Sequence, residues 1–144
     1  MNRTFRHDIK VLFQHCDPAG IVFYPRYFEM VNQTVEEWHE TGLGYSFATM
    51  HMRDQRGVPT VSISADFAAP SRLGEVLAWS LQVVRMGRTS AHLVVTAGKD
   101  GVTRMTAKPV LVCLDASTGR PTPWADAQRA KMVEYLIDPE SLQA

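Results

Sequence analysis

The sequence lacks any excess of charge of one sign. Its 15 Lys and Arg residues balance 15 Asp and Glu, so nothing in the bulk electrostatics favours nucleic acid or an anionic membrane surface, both of which call for a basic excess. Any anion must be held locally. Cysteine is scarce: Cys16 and Cys113 cannot staple a disulfide-dense scaffold. No apolar run approaches the roughly 20 residues that cross a bilayer, and the opening MNRTFRHDIKVLF has no apolar stretch of signal-peptide length. Internal repeats, low-complexity tracts, a Walker-type phosphate loop and a dinucleotide fingerprint are all missing. The histidines (His7, His15, His39, His51 and His92) show neither HxxxH spacing nor a CxxC companion, so no metal-ligand pattern is present. What is there is 144 residues, 45% hydrophobic and 21% charged, enough for one ordinary core. A single soluble, cytoplasmic domain over residues 1–144 is expected, with a small-molecule partner and neither nucleic acid nor membrane.

The apolar pattern changes period along the chain. Residues 7–13 read as a first strand, and residues 14–26, rich in Gly and Pro, as a loop. A helix is expected over 25–41: Pro25 suits the first turn, where its missing N–H costs nothing. Tyr27, Val31, Thr34, Val35 and Trp38 form one stripe at helical spacing, and Gly42 and Gly44 supply the stop. A shorter helix is expected over 46–53. After Gly57 the period becomes two. Val61, Ile63, Ala65 and Phe67 alternate with Ser62, Ser64 and Asp66, the pattern of a half-buried strand. Leu77, Trp79, Leu81 and Val83 alternate next, then Ala91, Leu93, Val95 and Ala97, with a turn at Met86-Gly87-Arg88 between them. Lys99-Asp100-Gly101 signals a tight hairpin into a last strand over 102–114. A loop follows at 115–123, then a terminal helix or extended tail at 124–136.

One strand, a long helix and four hairpin-linked strands make an α+β fold with an antiparallel sheet. Five strands at about 4.8 Å spacing span about 24 Å, whereas a helix is about 10–12 Å across. The sheet must therefore curl around the helix, and it still leaves an open face or edge. That predicts an oligomer, most simply a two-fold dimer.

The segment Asp17-Pro18-Ala19-Gly20-Ile21-Val22-Phe23-Tyr24-Pro25-Arg26-Tyr27-Phe28, in this layout, resembles the hotdog-fold acyl-CoA thioesterases, most closely the 4-hydroxybenzoyl-CoA thioesterase family. Asp66 to Glu75 and the turn Gly87-Arg88-Thr89-Ser90 match the same pattern, and the likeness covers roughly residues 6–115. The resemblance implies a five-stranded sheet wrapped around a central helix, and dimers that often pair into tetramers. It implies active sites at the dimer interface and hydrolysis of acyl-CoA thioesters without metal or redox cofactor.

Thioester hydrolysis needs a nucleophile or base, a stabiliser for the oxyanion and a grip on CoA. Asp17 is the candidate carboxylate, either attacking the carbonyl to form a mixed anhydride or activating water. The plainer reading is that it shapes an Asp-Pro turn. The expected oxyanion donor is the backbone N–H of Tyr24 at the positive end of the helix. Gly20 lets the loop approach the substrate closely, or is only a turn glycine. Arg85 and Arg88, with the hydroxyls of Thr89 and Ser90, are expected to hold the CoA phosphates; the plainer reading is a solvated turn. Asn32, Thr60, Ser62 and Ser64 are candidates to meet a substrate hydroxyl, and Met30, Met50 and Met52 to line a pliable pocket. Some members of the family carry a histidine seven residues after the aspartate. Here that position is Tyr24, which leans toward an aryl acyl group, and the nearest histidine, His15, precedes the acid.

Gly44-Tyr45-Ser46-Phe47-Ala48 nearly spells a nucleophile elbow, but a helix rather than a strand precedes it. The alternative function is a non-catalytic module that binds acyl-CoA or an acyl-carrier protein. A dehydratase would want a paired histidine and acid in its signature loop.

Overall fold

The computed structural model describes residues 2–138 together with 140 and 142. The elements are β1 (Phe5–Lys10), α1 (Tyr24–Glu37), β2 (Arg56–Gly57), β3 (Thr60–Phe67), β4 (Val76–Met86), β5 (Ser90–Lys99), β6 (Val102–Val112), β7 (Leu114–Asp115), β8 (Arg120–Pro121) and α2 (Asp126–Val133). Five strands form one antiparallel sheet in the order β1-β4-β5-β6-β3. The long helix lies in the curve of this sheet, the α+β arrangement of a hotdog fold.

Alternation along the central strands sets the core. Leu77, Trp79, Leu81 and Val83 of β4, Ala91, Leu93, Val95 and Ala97 of β5, and Met105, Ala107 and Leu111 of β6 are all buried. They meet Tyr27, Met30, Val31, Thr34 and Val35 on one face of α1. Each large apolar side chain withdrawn from water in this way contributes about 1.5–3 kcal/mol. The helical rod continues past Glu37 as a wider π-type segment, Trp38–Leu43, and stops at Gly44, whose φ of 66° is a left-handed cap that favours glycine. Gly42 is therefore not the stop but a packing position: a Cβ there would lie 2.7 Å from the Trp38 ring.

Several expectations are corrected. The first strand lies at Phe5–Lys10, earlier than the alternation suggested. The shorter helix is a π-type turn, Thr49–Arg53. The largest difference is β3, expected to be half buried. Only Ala65 is even partly covered, while Val61, Ile63 and Phe67 are 60%, 40% and 46% exposed. Among the described residues the strand stands at the edge of the sheet, pairs only with β6, and faces α1 across open clefts. A small second sheet, β2-β7-β8, joins Arg56–Gly57 to a hairpin formed largely by the segment read as loop over 115–123. The terminal tail is helical over α2 and closes the core with Trp124, Met132, Tyr135 and Leu136. No helix among the described residues is long and apolar enough to cross a membrane.

Candidate active site

The loop between β1 and α1 is closed by its own backbone. The Asp17 N–H donates to the Ile21 carbonyl (3.0 Å) and the Gly20 N–H to the Asp17 carbonyl (2.9 Å). Gly20 has a φ of 78°, a left-handed conformation that costs a residue with a Cβ about 1–2 kcal/mol. The Asp17 carboxylate accepts the Ala19 N–H through Oδ1 (2.9 Å), the self-bonded turn that the plainer reading foresaw. Its Oδ2 has no hydrogen-bond partner among the described residues. His15 is a structural group: Nδ1 accepts the Leu12 N–H (2.8 Å) and its carbonyl accepts the Phe23 N–H (2.9 Å). Burial, its largest influence, pushes its pKa down, so the ring stays neutral at physiological pH.

The loop ends where α1 begins. Phe23 precedes the helix with no side-chain cap, a proline follows within the first turn, and no acidic residue stands there. The Tyr24 N–H makes no hydrogen bond among the described residues. A free amide at the positive end of a helix is a donor ready for an oxyanion. Asp17 and the Tyr24 amide thus bound one short loop. On its outer side that loop pairs with residues 71–73: the Val22 N–H donates to the Ser71 carbonyl (2.8 Å), the Leu73 N–H to the Gly20 carbonyl (3.0 Å), and Ile21 bridges Arg72.

An open groove runs from this loop along α1 and β3. Its near part, about 270 Å³, is lined by Ile21, Val22, Tyr24, Tyr27 and Phe67 to Pro70. Phe67 stands at the centre of an aromatic cluster, with ring centroids 5.9, 5.7 and 6.1 Å from those of Tyr24, Tyr27 and Phe28. Beyond it a cleft of about 320 Å³ is lined by Phe28, Val31, Asn32, Val35, Thr60 and Ile63. A third, of about 340 Å³, shares Asn32 and Thr60 and reaches Phe47 and His51. Asp17 lines none of these concavities. Ser62 and Ser64 are exposed on β3 outside the clefts, Met30 and Met50 belong to the core, and Met52 is exposed.

The structure does not bring the cationic turn to this loop within one chain. The Asp17 loop lies against residues 71–73, just before β4 begins, whereas Arg85 is the last but one residue of β4 and Arg88, Thr89 and Ser90 follow the strand. Nine steps of strand from Val76 to Arg85, at about 3.3 Å each, put Arg85 about 30 Å along β4 from the strand's start. The turn is strapped to the C-terminal segment: the Trp124 N–H donates to the Arg88 carbonyl (3.2 Å), and Arg129 donates to the Gly87 carbonyl (2.7 Å). The Arg88 side chain itself is exposed.

A family model for the thioesterase-like superfamily matches residues 11–132. The chain belongs to that superfamily. Solved thioesterase-like structures share the fold at low identity. A 1,4-dihydroxy-2-naphthoyl-CoA thioesterase from Synechocystis superposes with a TM-score of 0.83 at 19% identity, over 92% of this chain and 97% of that one. A gentisyl-coenzyme A thioesterase gives 0.80 at 21%, covering 89% and 99%. A Staphylococcus aureus protein in complex with CoA gives 0.85 at 16%, covering 94% and 85%. No curated protein matches this thioesterase-like chain. Sequence reasoning missed Arg104, which sits behind the site. The signal was faint, because Arg104 shares its parity on β6 with the partly covered Thr106 and the exposed Lys108.

Proposed function

We propose that this protein is an acyl-CoA thioesterase acting on an aryl thioester of the 4-hydroxybenzoyl-CoA kind. The observation that carries the reading is the pairing, across one closed loop, of a carboxylate with one unengaged oxygen and an unpaired helix-start amide, beside an apolar groove. With the thioester carbonyl on the Tyr24 N–H, Asp17 acts in one of two ways. As nucleophile it attacks the carbonyl carbon, the oxyanion collapses to expel CoA thiolate, and water opens the anhydride. As base it takes a proton from water while the hydroxide adds to the carbonyl, and the thiolate leaves and is protonated. The products in both cases are free acid and CoA. The aromatic cluster around Phe67 favours a ring in the near groove, with Asn32 and Thr60 able to meet a hydroxyl further along. Two solved structures with this fold act on aromatic acyl-CoA esters, which supports the same class here.

The separation of Arg88 from Asp17 supports an assembly in which one copy supplies the acid and amide and a second supplies the CoA grip of Arg85, Arg88, Thr89 and Ser90. The exposed edge strand β3 offers the place for such pairing, giving a dimer and, through further contacts, a dimer of dimers.

The test is thiol release from aryl, short-chain and long-chain acyl-CoAs. Aryl esters are expected to turn over fastest. Asp17→Asn should lower kcat by on the order of 10²–10⁴-fold, the range of general acid–base catalysis, with melting unchanged. Tight CoA-ester binding without thiol release by the wild type would instead favour the non-catalytic module.

A further inference from the structure

Arg104 occupies an unusual place for a residue with no part in the chemistry. It lies on β6 just beyond the last pairing with β3, and its side chain is only 12% exposed. Its guanidinium holds Glu75 through two parallel bonds, Nη1 to Oε1 at 2.9 Å and Nη2 to Oε2 at 3.0 Å. The same Nη1 donates to the Pro70 carbonyl (2.9 Å) and to Ser71 Oγ (3.3 Å). The Arg72 N–H adds a bond to Glu75 Oε1 (2.6 Å). Ser71, fully buried, accepts the Tyr27 hydroxyl (2.9 Å) from the first turns of α1.

The backbone that this cluster immobilises is the one that carries the Asp17 loop. Residues 71–73 make every outer contact of residues 20–22 described above. We propose that Arg104 and Glu75 form a clamp that positions Asp17 and the Tyr24 amide relative to one another, through the 70–75 segment. The fork geometry of guanidinium on carboxylate fixes orientation as well as charge, and a displacement of about 1 Å between reacting groups can cost about 100-fold in rate. Arg104, the largest influence, and the Arg72 N–H hold the Glu75 carboxyl down at about 2. The clamp is therefore charged throughout the range in which the enzyme would work. Neither residue touches substrate; both are positioning residues.

This inference rests on the thioesterase reading, so the experiment separates the two. Wild type, Glu75→Gln, Arg104→Met and Arg104→Lys are compared for thiol release, thermal melting and amide hydrogen exchange at Val22 and Leu73. Both amides donate hydrogen bonds across the 20–22/71–73 junction. Expected results are a 10–100-fold fall in kcat with KM within about threefold, faster exchange at the two amides, and partial recovery of kcat in Arg104→Lys. In an Asp17→Asn background the clamp substitutions should lower the residual rate no further, because the groups act as one unit. Unchanged kcat in Glu75→Gln, or unchanged protection of the two amides, overturns the clamp. A wild type that releases no thiol overturns the thioesterase reading, while exchange still decides the clamp. Should Arg104→Met fail to fold, the isosteric Glu75→Gln carries the test.

Discussion

In the proposed mechanism Tyr24 acts through its backbone, and that makes its role separable from its side chain. Its phenol is exposed, 57% of the residue being open to solvent. Tyr24→Ala should therefore leave most of kcat intact, the loss of its groove-lining ring showing in KM. Tyr24→Pro removes the one N–H at issue at a first helical position, where proline's fixed φ fits and no intrahelical bond is lost. Loss of an oxyanion donor lowers kcat by about 10²–10³-fold. The expected pattern is that large loss in Tyr24→Pro against near-normal Tyr24→Ala, with similar melting for both. Equal activities would remove the amide from the mechanism. Gly20 belongs to the same scale: no atom lies within 4 Å of where its Cβ would be, so its constraint is conformational alone.

At the scale of elements, the junction of α1 with the π-type segment buries a titratable ring. His39 is fully buried, donating through Nδ1 to the Val35 carbonyl (2.9 Å) and facing the Gln128 amide of α2 at Nε2 (3.4 Å). Burial outweighs the Val35 bond and pushes its pKa down to about 4. Between about pH 6.5 and 4 the unfolded chain holds a proton on this ring that the folded chain refuses. Stability is thus fully present above 6.5 and falls as the pH drops through that window, by about 3 kcal/mol at its foot. His7 and His15 are shifted the same way, burial again leading. Glu75 and Asp54, both held at about 2 by arginine partners first, lose their contributions only at lower pH. A melting series from pH 7 to 5 should show a falling Tm in the wild type. The slope should be shallower in His39→Gln, which starts lower because the buried bonds change. Parallel slopes would exclude His39 as the source. Two buried indole N–H groups, of Trp38 beside His39 and of Trp79 on β4, have no hydrogen-bond partner among the described residues. Such a group costs about 1–3 kcal/mol, and the edge-on packing of Trp38 against Tyr135 at 5.6 Å compensates in part.

At the scale of the whole molecule, β3 is the surface on which the proposed assembly rests. A long edge strand with exposed Val61 and Ile63 presents unpaired backbone groups to any second chain. Pairing β3 with β3 of another copy about a two-fold axis would continue the sheet and roof the groove. It would also allow a second copy to reach the thioester with its Arg88 turn. Val61→Lys with Ile63→Lys should then give a folded monomer in sedimentation, since exposed positions tolerate substitution within about 0.5 kcal/mol. CoA-ester turnover should be lost with the dimer. A dimeric double variant with full activity would overturn this arrangement.

How much was legible follows the range of the interactions. The sequence by itself determined the helix and the four later strands, because periods of 3.6 and 2 are local and Gly or Pro punctuates them. It also marked the Asp17–Pro25 loop, whose turn glycine and helix-start proline are local requirements. Tertiary structure alone decided that β3 is bare, since alternation shows which residues share a face and not whether anything covers it. It also decided that Arg104 grips Glu75, that His39 meets Gln128, and that the Arg88 turn lies a strand length from Asp17. Those facts depend on register, on the bulges in β4 and β5 and on which edge the chain returns to, and residues far apart in sequence carry no local mark of their partners.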